Sequence, residues 1–342
     1  MNRRFLGLLL AFIAAALLLT SCKSRLSLPA YWLTYRNAFF AADGRVVDTG
    51  NNGISHSEGQ GYGMLLAQAA DDPKSFDRVW QWTKSTLQVR SDHLFAWQYL
   101  PGKGIGDKNN ATDGDMLISW ALLCAGRKWG NAEYIEESRN ILADIRTKLV
   151  RIWHGKHVLL PGEKGFAKEG RFTINLSYWI YPALHAFSQI DASPVWGMLI
   201  EDGLMLSRQA RFGSFQLPPD WLELGDKPRL SDKYPPRFGY DAIRIPLYIY
   251  WYGELTPAEA REYVAYADNG TKRKGFLPAY LCLTDDAFAD QPASHGIHDV
   301  FALLQARADR RNYTPKALSD GTEDYYSATL TLLVRMATLD NT

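Results

Sequence analysis

The sequence predicts an all-α protein, a closed barrel of helical hairpins arranged as two concentric rings. Segments carrying one apolar stripe alternate along the chain with segments that are apolar on every side. Strand-like runs are few and short, and no linker or shift in composition interrupts residues 30–340. A striped helix faces water on one side, whereas an all-apolar helix must be enclosed, so strict alternation places one ring inside another. A parallel α/β architecture lacks the strands it would need, and the unbroken composition argues for one domain.

Residues 1–22 stand apart from this pattern. Arg3 and Arg4 precede an apolar run, Phe5–Leu19, which suits a signal h-region and falls short of the roughly 20 residues of a membrane span. Leu19-Thr20-Ser21-Cys22 resembles a lipobox. Residues 1–21 are therefore expected to be a removed signal, Cys22 an acylated N-terminus, and 22–342 a single exported domain that meets the membrane only through that anchor. The first helical candidate is 28–42. Gly59–Ala70 is apolar all round and reads as an inner helix. In 73–89, Phe76, Val79, Trp80, Thr83 and Leu87 recur at three- and four-residue steps among charged residues, the pattern of an outer helix. Met116–Ala125 is again inner, and 131–150, with Ile135, Ser138, Leu142, Ile145 and Leu149 on one face, again outer. Segments 175–189, 194–210, 239–252, 256–268, 295–309 and 323–338 complete eleven candidates. The strand-like stretches are His93–Leu100 and His157–Leu160.

Composition narrows the chemistry. Lys plus Arg is 38 against Asp plus Glu 37, which excludes the basic surplus of a nucleic-acid binder. Eleven Trp, eighteen Tyr and fifteen Phe make 13% of the chain, a supply of flat rings on which a neutral sugar can stack. Cys124 and Cys282 lie in apolar stretches and either pair or remain buried thiols. The pairs His154/His157 and His295/His298 lack accompanying acidic or Cys ligands in a metal pattern, and no cofactor or metal is expected. Gly102-x-Gly104-x-Gly106 follows no strand-like run and reads as a loop.

Inner helices of such a barrel run parallel, so their N-termini gather at one rim. Three begin with an acid: Ser57-Glu58, Thr112-Asp113 and Tyr240-Asp241. One such acid is an ordinary helix-dipole partner. Three on one rim beside glycines and aromatics form the equipment of glycoside hydrolysis, in which one carboxylic acid protonates the leaving oxygen and another carboxylate activates water.

These residues carry a family resemblance. Ser57-Glu58-Gly59-Gln60-Gly61-Tyr62-Gly63-Met64, Ala111-Thr112-Asp113-Gly114-Asp115 through Trp129, and Tyr240-Asp241-Ala242-Ile243-Arg244 resemble, in order, three motifs of glycoside hydrolase family 8. Glu323-Asp324-Tyr325-Tyr326 before a closing helix also fits. The resemblance is greatest to the members that accompany bacterial cellulose synthesis. It implies an (α/α)6 barrel of six hairpins and twelve helices with short β-strands in its loops, the twelfth helix falling in 278–292 or in a segment read as loop. It further implies inverting, metal-free endo-hydrolysis of β-1,4-glucan in the periplasm, with a cellulose synthase complex as partner. By motif position Glu58 matches the general acid, Asp241 the general base, and Asp113 the carboxylate that positions and distorts the sugar. Arg244, one turn beyond Asp241, is placed to orient it. Trp97, Tyr99, Trp179, Trp221, Tyr325 and Tyr326 are candidate sugar-contacting rings, Trp97 and Tyr325 foremost, and Tyr178 a contributor to the water site. Ser119 replaces a usual Ala, and Leu176 a usual Pro. Chitosanase, lichenase or xylanase activity on the same scaffold, and a non-catalytic glucan-binding role in export, are the competing readings.

Overall fold

The computed structural model describes residues 27–315 and 323–340. Among them are eleven α-helices: α1 (Ser27–Phe39), α2 (Ser57–Ala69), α3 (Pro73–Leu87), α4 (Thr112–Trp129), α5 (Ala132–Lys148), α6 (Tyr181–Ser188), α7 (Val195–Gln209), α8 (Arg244–Trp251), α9 (Pro257–Lys274), α10 (His295–Ala308) and α11 (Tyr325–Asp340). The rings separate by burial. In α2 every residue from Gly59 to Ala67 is buried, whereas α3 buries only Ser75, Phe76, Val79, Trp80, Thr83 and Leu87, the stripe its sequence shows. Helices α4, α8 and α11 are buried nearly throughout, like α2. Helices α2, α4, α6, α8, α10 and α11 form the inner ring, and α11 closes it by packing against both α8 and α2. Outside them lie α1, α3, α5, α7 and α9. Helix α1 runs antiparallel to α11: Tyr31 lies over Arg335, Tyr35 bonds Thr329 and Phe39 meets Tyr325. It therefore starts at the end of the barrel away from the N-termini of the inner helices.

Strands are short and confined to connections. In chain order they are β1 (Ser55–His56), β2 (Gln98–Leu100), β3 (Gly104–Asp107), β4 (Val150–Trp153), β5 (Lys156–Leu159), β6 (Ala167–Lys168), β7 (Arg171–Ile174), β8 (Leu222–Leu224), β9 (Pro228–Leu230), β10 (Arg237–Phe238) and β11 (Leu281–Cys282). The largest sheet has the order β6-β7-β8-β9. Its antiparallel pairing of Ile174 with Leu222 brings the residues just after β7 beside those just before β8, a juxtaposition that shapes the site below.

Several expected boundaries move. The candidate 175–189 is broken into a 3-10 turn, Leu176–Tyr178, and α6, because Asn175 caps the turn and Pro182 needs a fresh helix start. The candidate 239–252 becomes α8 from Arg244, with a separate turn before it. No helix forms in 278–292; Pro278 and Pro292 pair in an isolated bridge and β11 pairs with β10, a route on which proline donates no amide. Gly102-x-Gly104-x-Gly106 lies at the β2–β3 hairpin. Cys124 and Cys282 are free thiols. Cys22 and the signal and lipobox expectations lie outside the described residues. Among the described residues no helix is long and apolar enough to cross a membrane.

Candidate active site

Helices α2 and α4 approach almost backbone to backbone, and glycine permits it. A Cβ on Gly61 would stand 2.5 Å from Leu117 Cβ, and one on Gly114 only 2.6 Å from the Glu58 amide nitrogen. The first turns of both helices, and with them Glu58 and Asp113, are thereby held side by side. His56 caps α2: its Nδ1 accepts from the Gly59 amide at 3.0 Å, which leaves the ring proton on Nε2, 3.3 Å from Asp48. Across the rim stands Asp241, in the turn before α8.

One guanidinium joins the acids. Arg244, 4% exposed, donates from Nη1 to Glu58 Oε1 at 2.7 Å and from Nη2 to Asp241 Oδ1 at 2.8 Å. Nη2 also donates to Ser177 Oγ at 3.0 Å. Asp113 is buried beside them, its Oδ1 accepting from the Gly114 amide at 2.8 Å. Burial, and next the Glu58 charge, hold the Asp113 carboxyl well above the ordinary carboxylate range. Burial raises Asp241 as well, with the charges of Asp220 and Glu58 adding to it while Arg244 and the Asn175 amide pull it back. Burial and the same three acids, Asp113, Asp241 and Glu58, push the Tyr178 hydroxyl up, so it remains a proton-bearing donor among them. Here a buried carboxyl, Asp113, and two partly exposed ones, Glu58 and Asp241, share one pocket.

The loops explain how these groups meet. Asn175, just after β7, takes the Ser177 amide and hydroxyl on its Oδ1 at 3.0 and 2.7 Å and so starts the turn that carries Tyr178. Leu176 occupies the core at 1% exposure and leaves that turn intact. Ser119 bonds Ser138 at 2.9 Å within the α4–α5 interface, and its extra hydroxyl is satisfied there. Asp115 serves a different purpose from Asp113: fully buried, it accepts from the Phe95 amide at 2.9 Å and from Asn110 at 2.7 Å, which ties the Trp97 loop to α4. Burial pushes its carboxyl up to about 7. Asp220, just before β8, holds the turn that bears Asp241. Sequence reading missed Asp115, Asp220 and His56 as supporting groups; Asp220 stands in Pro218-Pro219-Asp220-Trp221, where no period or spacing marks it.

The aromatic candidates divide. Trp97 is partly exposed, its carbonyl accepting from the Ser57 amide at 3.0 Å and its indole donating to Asp107. Tyr178 and Trp221 meet edge to face, and Trp221 stacks on Tyr234 with centroids 4.1 Å apart. Tyr99 stands against Trp82. Two expectations are corrected. Trp179 is wholly buried and bonds the Leu199 carbonyl. Tyr325, 2% exposed, packs against Tyr35, Phe39 and His56 and has no face for a sugar. The adjacent Tyr326 is the partly exposed ring, influenced by Arg244, Asp241 and Glu58 and hydrogen-bonded to the Tyr240 carbonyl. A helix turns about 100° per residue, so neighbouring rings at its start face different ways. Among the described residues no group of three or more His, Cys, Asp or Glu is placed to hold a metal ion; His157 instead meets Asp202 and His295 meets Glu323.

Comparisons agree with this architecture. Residues 6–340 match the profile of glycosyl hydrolases family 8. A probable endoglucanase from Novacetimonas hansenii is 40% identical over 318 residues, 91% of each chain. The crystal structure of an endoglucanase from Komagataeibacter sucrofermentans superposes with a TM-score of 0.84 at 38% identity, covering 91% of this chain and 97% of that one. An endo-β-1,4-glucanase from Acetobacter xylinum gives 0.82 at 38% identity, covering 92% and 98%. With its inner-ring motifs, (α/α)6-type barrel and nearly full-length match, this chain is a member of glycosyl hydrolase family 8.

Proposed function

We propose that the protein is an endo-1,4-β-glucanase acting on cellulose-like glucan with inversion, Glu58 serving as general acid, Asp241 as general base and Asp113 as the group that positions and distorts the sugar. The observation that carries this reading is the Arg244 bridge. It occupies Oε1 of Glu58 and Oδ1 of Asp241, leaving Oε2 to protonate the glycosidic oxygen and Oδ2 to take a proton from the attacking water. Bonds of 2.7 and 2.8 Å to nitrogens about 2.3 Å apart limit the bonded oxygens to at most about 8 Å, a span that reaches only the lower part of the roughly 6.5–9.5 Å of an inverting pair and also admits the shorter retaining separation, so the anomer released is what decides between them. Asp113, its proton affinity raised, is suited to donate a hydrogen bond to a ring hydroxyl, and Tyr178 to orient the water. Trp97, Tyr326 and Trp221 supply rings along the rim. Relatives named endoglucanases, matched over about nine-tenths of their length, support the β-glucan substrate.

A place in bacterial cellulose synthesis beside a cellulose synthase complex belongs to the same proposal and rests on the motif resemblance. Export to the periplasm and anchoring at Cys22 rest on the signal and lipobox residues. The test is hydrolysis of carboxymethyl cellulose, lichenan, xylan and chitosan, with NMR of the first anomer released from a cello-oligosaccharide. Rapid viscosity loss on carboxymethyl cellulose and an α-anomer are expected. Preference for another polymer overturns the substrate assignment, and a β-anomer overturns the acid and base roles.

A further inference from the structure

Asp220 is a buried carboxylate, 2% exposed, that the acid and base roles leave unused. Its Oδ1 accepts three backbone amides of a single turn, those of Gly239 at 2.9 Å, Asp241 at 3.2 Å and Ala242 at 2.9 Å. Its Oδ2 accepts from Arg237 Nε at 2.9 Å. Its own amide donates to the Arg237 carbonyl at 2.7 Å, so backbone and side chain are both fixed. The amides it collects lie just before α8, where a helix leaves donors unsatisfied, and one of them belongs to Asp241. The fit is close on the other side too: a Cβ on Gly239 would stand 2.8 Å from Asp220 Oδ2. The Asp220–Arg237 backbone bond sets Asp220 against this turn, while the β7–β8 pairing at Ile174–Leu222 sets Asp220–Trp221 beside the residues just after β7.

We propose that Asp220 is the positioning residue of the base: its buried carboxylate fixes the turn Gly239–Ala242 and thereby aims the Asp241 side chain at the attacking water. This rests on reading Asp241 as the base. Burial raises the carboxyl of Asp220 while the Ala242 amide and Arg237 hold it down; ionised, it also acts on Asp241, whose other charged or titratable neighbours are Arg244 at the start of α8, Glu58 on α2, Asp113 on α4, Tyr178 on the 3-10 turn and Tyr326 on α11. Asp220 itself is faced by Arg237 from β10. Removing its charge makes Asp241 easier to ionise, whereas losing the amide contacts alone does not. A residue that only holds the fold together would alter melting and the folded fraction but not the acid limb of the folded enzyme.

The experiment measures kcat, KM and the pH dependence of kcat/KM on carboxymethyl cellulose for the wild type, Asp220→Asn, Gly239→Ala and Asp241→Asn. Asp241→Asn is expected to be inactive; if it turns over like the wild type, the base assignment fails and this proposal fails with it. With that control satisfied, Asp220→Asn is expected to lower kcat by about 10- to 100-fold, with KM within about 2-fold and the acid limb moved to lower pH. Gly239→Ala keeps every charge, crowds the Asp220 carboxylate and the Arg237 Nε bonded to it, and is expected to lower kcat with the limb nearer its wild-type place. It also serves if Asp220→Asn fails to fold. Wild-type kcat and an unmoved acid limb in folded Asp220→Asn, or wild-type kcat in Gly239→Ala, overturn the proposal while leaving Asp241 as base.

Discussion

Replacing Gly114 with alanine tests the contact that places Glu58 beside Asp113. The added Cβ would stand 2.1 Å from Ser57 Oγ, 2.6 Å from the Glu58 nitrogen and 2.7 Å from the Ser57 carbonyl carbon, whereas relaxed carbon contacts begin at about 3.5 Å. The Ser57 hydroxyl can rotate aside, but the backbone of Ser57 and Glu58 cannot, so the first turn of α2 must withdraw from α4 by about 1 Å. Overpacking of this kind costs about 1–3 kcal/mol, and a 1 Å displacement of a reacting group costs on the order of 100-fold in rate. The expected result is a kcat on carboxymethyl cellulose lowered about 100-fold, with a melting temperature several degrees lower. Gly197, inside α7 with nothing within 4 Å of its would-be Cβ, is the control: Gly197→Ala should gain about 0.5–1 kcal/mol and leave kcat alone. Wild-type turnover and melting in Gly114→Ala would refute the argument that this close approach sets the carboxylate geometry.

Other outcomes follow from the same geometry. Glu58→Gln keeps the Arg244 bond through its amide oxygen but has no acid proton, so hydrolysis should vanish while titration with a cello-oligosaccharide still shows binding. Arg244 favours the ionised form of Asp241, and the base must be ionised to act; Arg244→Gln should therefore move the acid limb of kcat/KM to higher pH, opposite in sign to Asp220→Asn. Exhaustive chelation should leave activity on carboxymethyl cellulose unchanged; loss with recovery on adding a divalent ion would contradict a carboxylate mechanism. Cys22→Ala should shift the protein from the membrane to the soluble fraction, and mass spectrometry of the wild-type N-terminus should find acyl chains on Cys22.

Alternation of helix type along the chain was sufficient to read two rings of helices, because an all-apolar helix has no stable place but an enclosed one. The stripe Phe76, Val79, Trp80, Thr83 and Leu87 is the buried face of α3, and the acids Glu58 and Asp113 stand in the first turns of α2 and α4, where the dipole accepts them. Helix breaks were less legible. Asp241 lies in a turn instead of in α8, since the amides that would continue the helix backwards are taken by Asp220, twenty-one residues away. Burial separates Tyr325 from Tyr326, which differ in sequence only by position at a helix start.

Residue types and their local order thus determined the fold class, the family and which acids gather at one rim, because those depend on periodicity and motif spacing. Tertiary structure decided what passes between them: that one guanidinium joins Glu58 to Asp241, that Asp113 is buried against Glu58's charge, and that Asp220 rather than a local cap holds the turn bearing Asp241. Proton affinity and orientation in such a pocket depend on burial and on charges contributed by distant segments, and those are set only when the β7–β8 pairing and the ring of inner helices close around them.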